Sequence, residues 1–244
     1  MRIKLHGILN LGESESYVEF QGKFEKWIND NGWGGESVGG IRMPDEMLSQ
    51  VKIGSNVAVF HPEYKKNGCE KDKNKRYFLS RTWNPKLDIM TVFMMNPSIA
   101  DELGGDGTVD FMVQVAKYNM CGALLVINTS PIIKGDKTIK SDFPVDNYNN
   151  YYINFAIENS DIVILAWGNN GQKFGISNLK EDKHFIELMS KHRKKFKVFD
   201  YGSKETKNIY PKHPRPRLQR DHFAIDHQLL DVTEEKWIAL FKSI

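Results

Sequence analysis

The chain has 244 residues, of which 40% are hydrophobic and 27% charged, with a formal net charge of +3. These proportions exclude collagen-like, coiled-coil and wholly disordered chains, and no apolar run approaches the roughly 20 residues that span a bilayer. The two cysteines, Cys69 and Cys121, are too few for a disulfide framework or a four-cysteine metal or iron–sulfur site. A reducing cytoplasm is the expected compartment, and the N-terminus MRIKLHGILNLGESES lacks the apolar core and cleavage site of a signal peptide.

In chain order, Val18–Phe20 and Val57–Phe60 have the pattern of short strands, and Phe24–Asn31 that of a short helix around Trp27. A glycine-rich connection, Gly32 to Gly40, follows that helix. The segment Lys65–Lys75, KKNGCEKDKNK, is charged and nearly free of apolar residues, which predicts a loop or linker. Residues 1–75 are therefore expected to form an N-terminal accessory segment or small domain, and residues 76–244 the main domain. From there on, apolar strands alternate with helices. Strands are expected at Tyr77–Arg81, Ile89–Met95, Ala123–Ile127, Ile162–Ala166 and Phe196–Asp200. Helices are expected at Val109–Tyr118, Tyr148–Asn159 and Lys180–Lys191. Nearly all-apolar strands between helices predict βαβ units. The expected fold is a three-layer αβα sandwich with a mainly parallel central sheet.

The net charge is unevenly distributed. Residues 1–75 carry 11 basic and 11 acidic side chains, whereas residues 171–220 carry 14 and 5, a net +9. A basic block of this kind suits a polyanion, although lysine-rich helix faces are often only solvated surface.

Ligands of parallel α/β sheets bind beyond the carboxyl ends of the strands. At those ends the sequence carries Asn96-Pro97-Ser98, Asn128-Thr129-Ser130, Trp167-Gly168-Asn169-Asn170-Gly171 and, after a further loop, His213-Pro214-Arg215-Pro216-Arg217. Polar residues recurring at one end of several strands predict a single composite site.

These four loops, in this order, resemble those of the uracil-DNA glycosylase superfamily. Asn96-Pro97 resembles its water-activating motif, and Leu124-Leu125-Val126-Ile127-Asn128-Thr129 its base-reading motif. Trp167-Gly168 followed by Gln172-Lys173 resembles its Trp-Gly loop, and His213-Pro214-Arg215-Pro216 its His-Pro-x-Pro motif, with Arg215 where a small polar residue is usual. The Asn-Pro form is similar to the mismatch-specific and single-strand-selective branches. The run Asn96-Pro97-Ser98-Ile99-Ala100-Asp101 with Asp106-Gly107-Thr108 also resembles an uncharacterised bacterial and phage family of that superfamily. The resemblance covers about residues 76–223.

The resemblance implies a DNA glycosylase that hydrolyses an N-glycosidic bond, without metal or cofactor, acting as a monomer on double- or single-stranded DNA. Asn96 would orient the attacking water, with Asp101, Asp106 or Asp110 as a supporting carboxylate. Asn128 would read a flipped base, Phe111 would stack on it, and Trp167 would line the base pocket. His213 would stabilise the departing base, with Lys173, Lys212, Arg215, Arg217 and Arg220 on the phosphates. Ser98 stands where the strictly uracil-specific branch has a tyrosine. That opening implies a 5-substituted pyrimidine, as in hypermodified phage DNA, and hence a role in antiviral defence. Each residue also has a plainer reading: Asn96 as a turn or cap residue, Phe111 and Trp167 as core, His213 as a surface-loop residue. A non-catalytic reader of modified or single-stranded nucleic acid on the same fold is the alternative function.

Overall fold

The apolar runs become the strands of one seven-stranded sheet. The structure is a computed structural model, and it describes residues 56–65, 69–98, 107–135, 137–199, 210–214 and 229–242, together with Lys23, Lys26 and Asp30, which are helical. The chain divides into two compact units, Met1–Met43 and Pro44–Ile244; the sheet belongs to the second. The expected strand Val18–Phe20 and the glycine-rich connection lie outside the described residues. Lys26 and Asp30 fall within the expected helix Phe24–Asn31.

The elements of the second unit are β1 (Val57–Phe60), β2 (Arg76–Thr82), β3 (Ile89–Met94), α1 (Gly107–Tyr118), β4 (Ala123–Asn128), α2 (Asn147–Glu158) and β5 (Ile162–Leu165). After β5 come α3 (Gly168–Asn170), a π-helical stretch (Gly171–Ile176), α4 (Ser177–Leu179) and α5 (Lys183–Lys191). The chain then forms β6 (Phe196–Phe199), β7 (Leu229–Asp231) and α6 (Glu234–Trp237). Side-chain caps start several helices: the Asp146 carboxylate accepts from the N–H groups of Tyr148 and Asn149, and Asp182 from that of His184.

The strand order is β1-β2-β4-β3-β5-β6-β7. The four central strands, β4, β3, β5 and β6, are parallel. β1, β2 and β7 run antiparallel to their neighbours. The expectation of a mainly parallel sheet therefore holds for its centre and fails at its flanks. The reason is connectivity: β2 reaches β3 through six residues, too few for a parallel crossover. β1 is an edge strand of this sheet, so the boundary expected at residue 75 falls inside the unit.

The charged segment before β2 is not a free linker. Asn74 and Ile133 exchange hydrogen bonds, Asn74 Nδ2 donating to Ile133 O at 3.2 Å and Ile133 N to Asn74 O at 2.9 Å. Lys75 pairs with the capping Asp146 at 2.9 Å, and Lys71 with the buried Asp142 at 2.8 Å. Two of the segment's lysines, Lys71 and Lys75, are thus partners of carboxylates 71 residues away.

β3 is covered on both faces, and alternate residues meet different helices. Met90, Val92 and Met94 join Val109, Met112, Val115 and Ala116 of α1 in one apolar cluster. Between them, Thr91 hydrogen-bonds the carbonyl of Ala156 in α2 and shares a 2.5 Å bond with Ser160. Phe93 meets Trp167 edge-on, with ring centroids 5.2 Å apart.

The segment after Trp167, read from sequence as a polar loop, is instead helical from Gly168 to Leu179. Its glycines disguise it, and they are also why it fits. A Cβ at Gly175 would overlap the Cβ and Oγ1 of Thr129, in the turn after β4. Gly175→Ala is expected to destabilise the protein by about 1–3 kcal/mol through overpacking. Chemical denaturation would show this as a lower midpoint with an unchanged slope, and an unchanged midpoint would mean the helix yields freely.

Candidate functional site at the carboxyl ends of the parallel strands

Parallel pairing brings the ends of β3, β4 and β5 to one edge. Asn128, the last residue of β4, is in register with Met94, the last of β3. Beyond the strands the backbone stays joined: Thr129 N donates to Met94 O at 2.9 Å, Ser130 N to Met95 O at 3.0 Å, and Ala166 N to Phe93 O at 2.8 Å. The connection leaving β3 turns toward β4, and that leaving β5 turns toward β6. Their divergence between adjacent strands marks the point where sheets of this kind open a crevice. Asn96-Pro97-Ser98 leaves β3 on one side of it and Trp167-Gly168 leaves β5 on the other.

The His213 loop reaches the same edge. Gly168 N donates to Pro211 O at 2.8 Å. Gly168 has φ +66°, and a Cβ there would lie 3.5 Å from the Cβ of His213. Glycine suits this backbone, since φ above zero is costly for other residues. His213 and Lys212 are half-buried here, between the buried Pro211 and Pro214.

Asn128 is 1% exposed, and its Nδ2 and Oδ1 have no hydrogen-bond partner. Its backbone carbonyl accepts from Asn149 Nδ2 at 3.0 Å, so the main chain is anchored while the side chain is not. A buried amide left unmade costs about 1–3 kcal/mol, and native interiors rarely keep one without a use.

Asn96 is half-buried. Its Nδ2 donates to Lys134 O at 2.7 Å and to Pro97 O at 3.1 Å. Both partners are carbonyls, which sets the amide orientation, because only nitrogen can donate to them. Among the described residues Oδ1 accepts no hydrogen bond, so the acceptor end remains available. Ser98 is half-buried, and its carbonyl accepts from Nη1 of the fully buried Arg76 at 3.4 Å.

Of the two expected base-lining residues, Trp167 sits in the core and Phe111 at its margin. Trp167 is 0% exposed, its ring packs edge-on with Phe93 and Phe241, and its Nε1 donates to Gln172 Oε1 at 2.7 Å. Phe111 is half-buried at the margin of the α1 cluster, 6.5 Å from the Phe199 ring. The plainer packing reading describes both. Lys173 is exposed in the π-helical stretch, with its ammonium 5.2 Å from the Phe174 ring centroid. Asp101, Asp106, Arg215, Arg217 and Arg220 lie outside the described residues.

Part of the basic block lies away from this edge among the described residues. Lys191, Arg193 and Lys195 precede β6 and so lie at the opposite, amino ends of the parallel strands. Several of these cations are spent within the domain. Arg193 pairs with Glu234 at 2.5 Å and stacks on Trp237. Lys195 Nζ donates to the carbonyls of Ile157 and Glu158 at the end of α2, and Lys191 meets Glu158 at 3.8 Å. Lys197 pairs with Asp231 at 2.5 Å. A cavity of about 290 Å³ beside Thr129 is lined by Asn147, Asn150, Asn178, Glu181 and Asp182. With carboxylates and no lysine or arginine on its lining, it is unsuited to a phosphate.

Sequence reasoning missed the groups that hold the edge in shape. Asn149 anchors Asn128, and its signal was the Asp146 cap three residues earlier. Asp142, 1% exposed, takes Lys134 at 2.8 Å, Lys71 at 2.8 Å and the Ile139 N–H at 2.8 Å. No local pattern marks it. Burial raises its carboxyl pKa, but the bonds from Lys134, Lys71 and Ile139 outweigh that and hold it at about 2. Among the described residues, no three His, Cys, Asp or Glu side chains converge as a metal site, and no helix is long and apolar enough to cross a membrane.

The model of a family described as "Protein of unknown function (DUF1643)" matches residues 76–215, which run from β2 through the His213 loop. Neither the curated proteins nor the solved structures compared with the chain contain a match.

Two outcomes follow from the buried groups. Asn128→Leu is expected to raise the melting temperature by several degrees, because it removes about 1–3 kcal/mol of unsatisfied burial; a fall would mean that the amide is satisfied. Asp142 has a lowered pKa, so its stabilisation is complete above the unfolded value near 3.9 and is lost as pH falls through about 2. The gap in urea midpoint between wild type and Asp142→Asn should therefore be widest above about pH 4 and close toward pH 2. A pH-independent gap would contradict this.

Proposed function

Since the chain belongs to the DUF1643 family, whose activity the family description leaves open, we propose that it is a DNA glycosylase. It hydrolyses the N-glycosidic bond of a 5-substituted pyrimidine and leaves an abasic site. The observation that carries this reading is Asn128. A carboxamide buried at a strand end, with donor and acceptor both unspent, has the chemistry needed to read the hydrogen-bonding edge of an inserted base. Flipping the base replaces the missing partners, so the cost of keeping them unmade is recovered on binding.

The neighbours fit the same chemistry. The Asn96 oxygen is free to accept from a water, while its nitrogen is fixed by two carbonyls. A neutral amide is a weak base, so its part is to position the water. His213, held beside Gly168, supplies a ring N–H toward charge developing on the departing base. Ser98 leaves room at the pyrimidine C5. Lys173 and Lys212, with Arg215, Arg217 and Arg220, are the proposed phosphate contacts. The resemblance of the four loops to the uracil-DNA glycosylase superfamily supports the assignment, and with it a three-layer αβα architecture, a cytoplasmic monomer and no metal or cofactor. Hypermodified phage DNA is the proposed substrate, and defence against it the biological role.

The neutral amide at position 96 favours one second reading, a binding protein for modified or single-stranded nucleic acid. An abasic-site assay separates the two. Full-length protein is incubated with DNA carrying uracil, mismatched thymine, 5-hydroxymethylcytosine or its glucosylated form, followed by alkaline cleavage. Strand breaks on one substrate, reduced at least about a hundredfold in Asn96→Ala and His213→Ala, are expected. Salt-sensitive binding without breaks would support the reader and overturn the glycosylase.

A further inference from the structure

Asn96 is set by a group that the proposed chemistry does not touch. Its amide nitrogen rests on the carbonyl of Lys134 at 2.7 Å, and Lys134 N donates back to Pro97 O at 3.2 Å. The turn carrying Asn96 and the residue Lys134 are thus tied by reciprocal bonds. What holds Lys134 is its own side chain, whose ammonium lies 2.8 Å from Asp142 Oδ2. Asp142 is in turn fixed from several directions. Ile139 N donates to Oδ2, Lys71 lies 2.8 Å from Oδ1, and Ser130 Oγ donates to the Asp142 carbonyl. Ser130 Oγ also accepts from Ile132 N at 3.1 Å.

We infer that the Lys71–Asp142–Lys134 chain is a positioning device that fixes the plane of the Asn96 carboxamide and aims its oxygen into the crevice. The inference rests on the proposed reading in that Asn96 is taken to hold the water. At Asp142, in the short 3₁₀ turn Lys140–Asp142, the charged stretch before β2 meets the turn after β4, about 60 residues further along the chain. A carboxylate 2% exposed needs both lysines to offset its burial. The lysines gain a fixed geometry that a solvated pair would not give. None of these groups needs to touch a substrate; they act through Asn96.

The test uses full-length ¹⁵N-labelled protein and two variants. Lys134→Met keeps the carbonyl that Asn96 uses and removes only the ammonium; Asp142→Asn keeps the side-chain volume and removes the charge. The side-chain amide signals of Asn96 are assigned by their absence in Asn96→Ala, and their solvent-exchange rate is measured. Exchange at least about tenfold faster in either folded variant is expected. On the substrate found by the abasic-site assay, kcat should fall at least about tenfold while KM stays within about twofold, the signature of misplacement without lost binding. Unchanged Asn96 exchange in a folded variant overturns the inference, and so does faster exchange with kcat unaltered. If the wild type releases no base from any DNA, the glycosylase reading fails, and the exchange rates alone decide whether this chain of charges sets Asn96.

Discussion

Everything at the candidate site depends on the parallel pairing of β3 with β4 on one side and β5 on the other. Parallel neighbours deliver their carboxyl ends to one edge, so backbone pairing makes neighbours of residues more than thirty positions apart. The register is also protected by burial. Met90, Val92 and Met94 belong to the apolar cluster with α1, while Thr91 bonds α2. A slip of one residue would exchange these faces and bury the wrong set. The same slip would carry Asn128 away from its place opposite Met94.

Two buried polar groups near that edge show opposite energetic solutions. Asp142 is a charge paired with two ammonium groups and hydrogen-bonded by a backbone N–H, as a buried carboxylate must be if it is to stay ionised. Asn128 is a neutral amide satisfied by nothing on its side chain. The first rigidifies a turn and the second stores an unmade interaction. Structures tend to keep unmade interactions where a ligand completes them. The contrast separates the groups that build the site from the group that is left for use.

Charge follows a similar division. The basic block looks in sequence like one polyanion-binding surface, but several of its described lysines and arginines lie at the amino ends of the parallel strands. Those preceding β6 cap α2, pair with Glu158 and Glu234, and stack on Trp237. Lys173 is exposed in the helical stretch after β5, and Lys212 is half-buried next to His213 in the chain. Net charge is a property of the chain, whereas a field that attracts phosphate is a property of which cations have been left unneutralised on one surface.

The central strands and their flanking helices were legible because they are decided locally: four apolar runs of strand length, separated by helical periodicity and capped by Asp146 and Asp182. The polar residues that end those strands were legible for the same reason, and the order of elements was enough to place Asn96, Asn128 and His213 at one edge. Other features depended on contacts made at long range. The helix from Gly168 to Leu179 hides behind glycines whose value lies in their approach to Thr129 and Trp167. The antiparallel flanks follow from partners that no local pattern names. Lys71 and Lys75 read as solvated until Asp142 and Asp146 meet them. By itself the sequence determined the central strands, the helices α1, α2 and α5, and the side chains that stand at the strand ends, because propensity, period and capping act within a few residues. Only the tertiary structure decided that Trp167 is core, that the Asn128 side chain has no partner, and that Asp142 holds the turn behind Asn96, because satisfaction and burial depend on atoms brought together from distant parts of the chain.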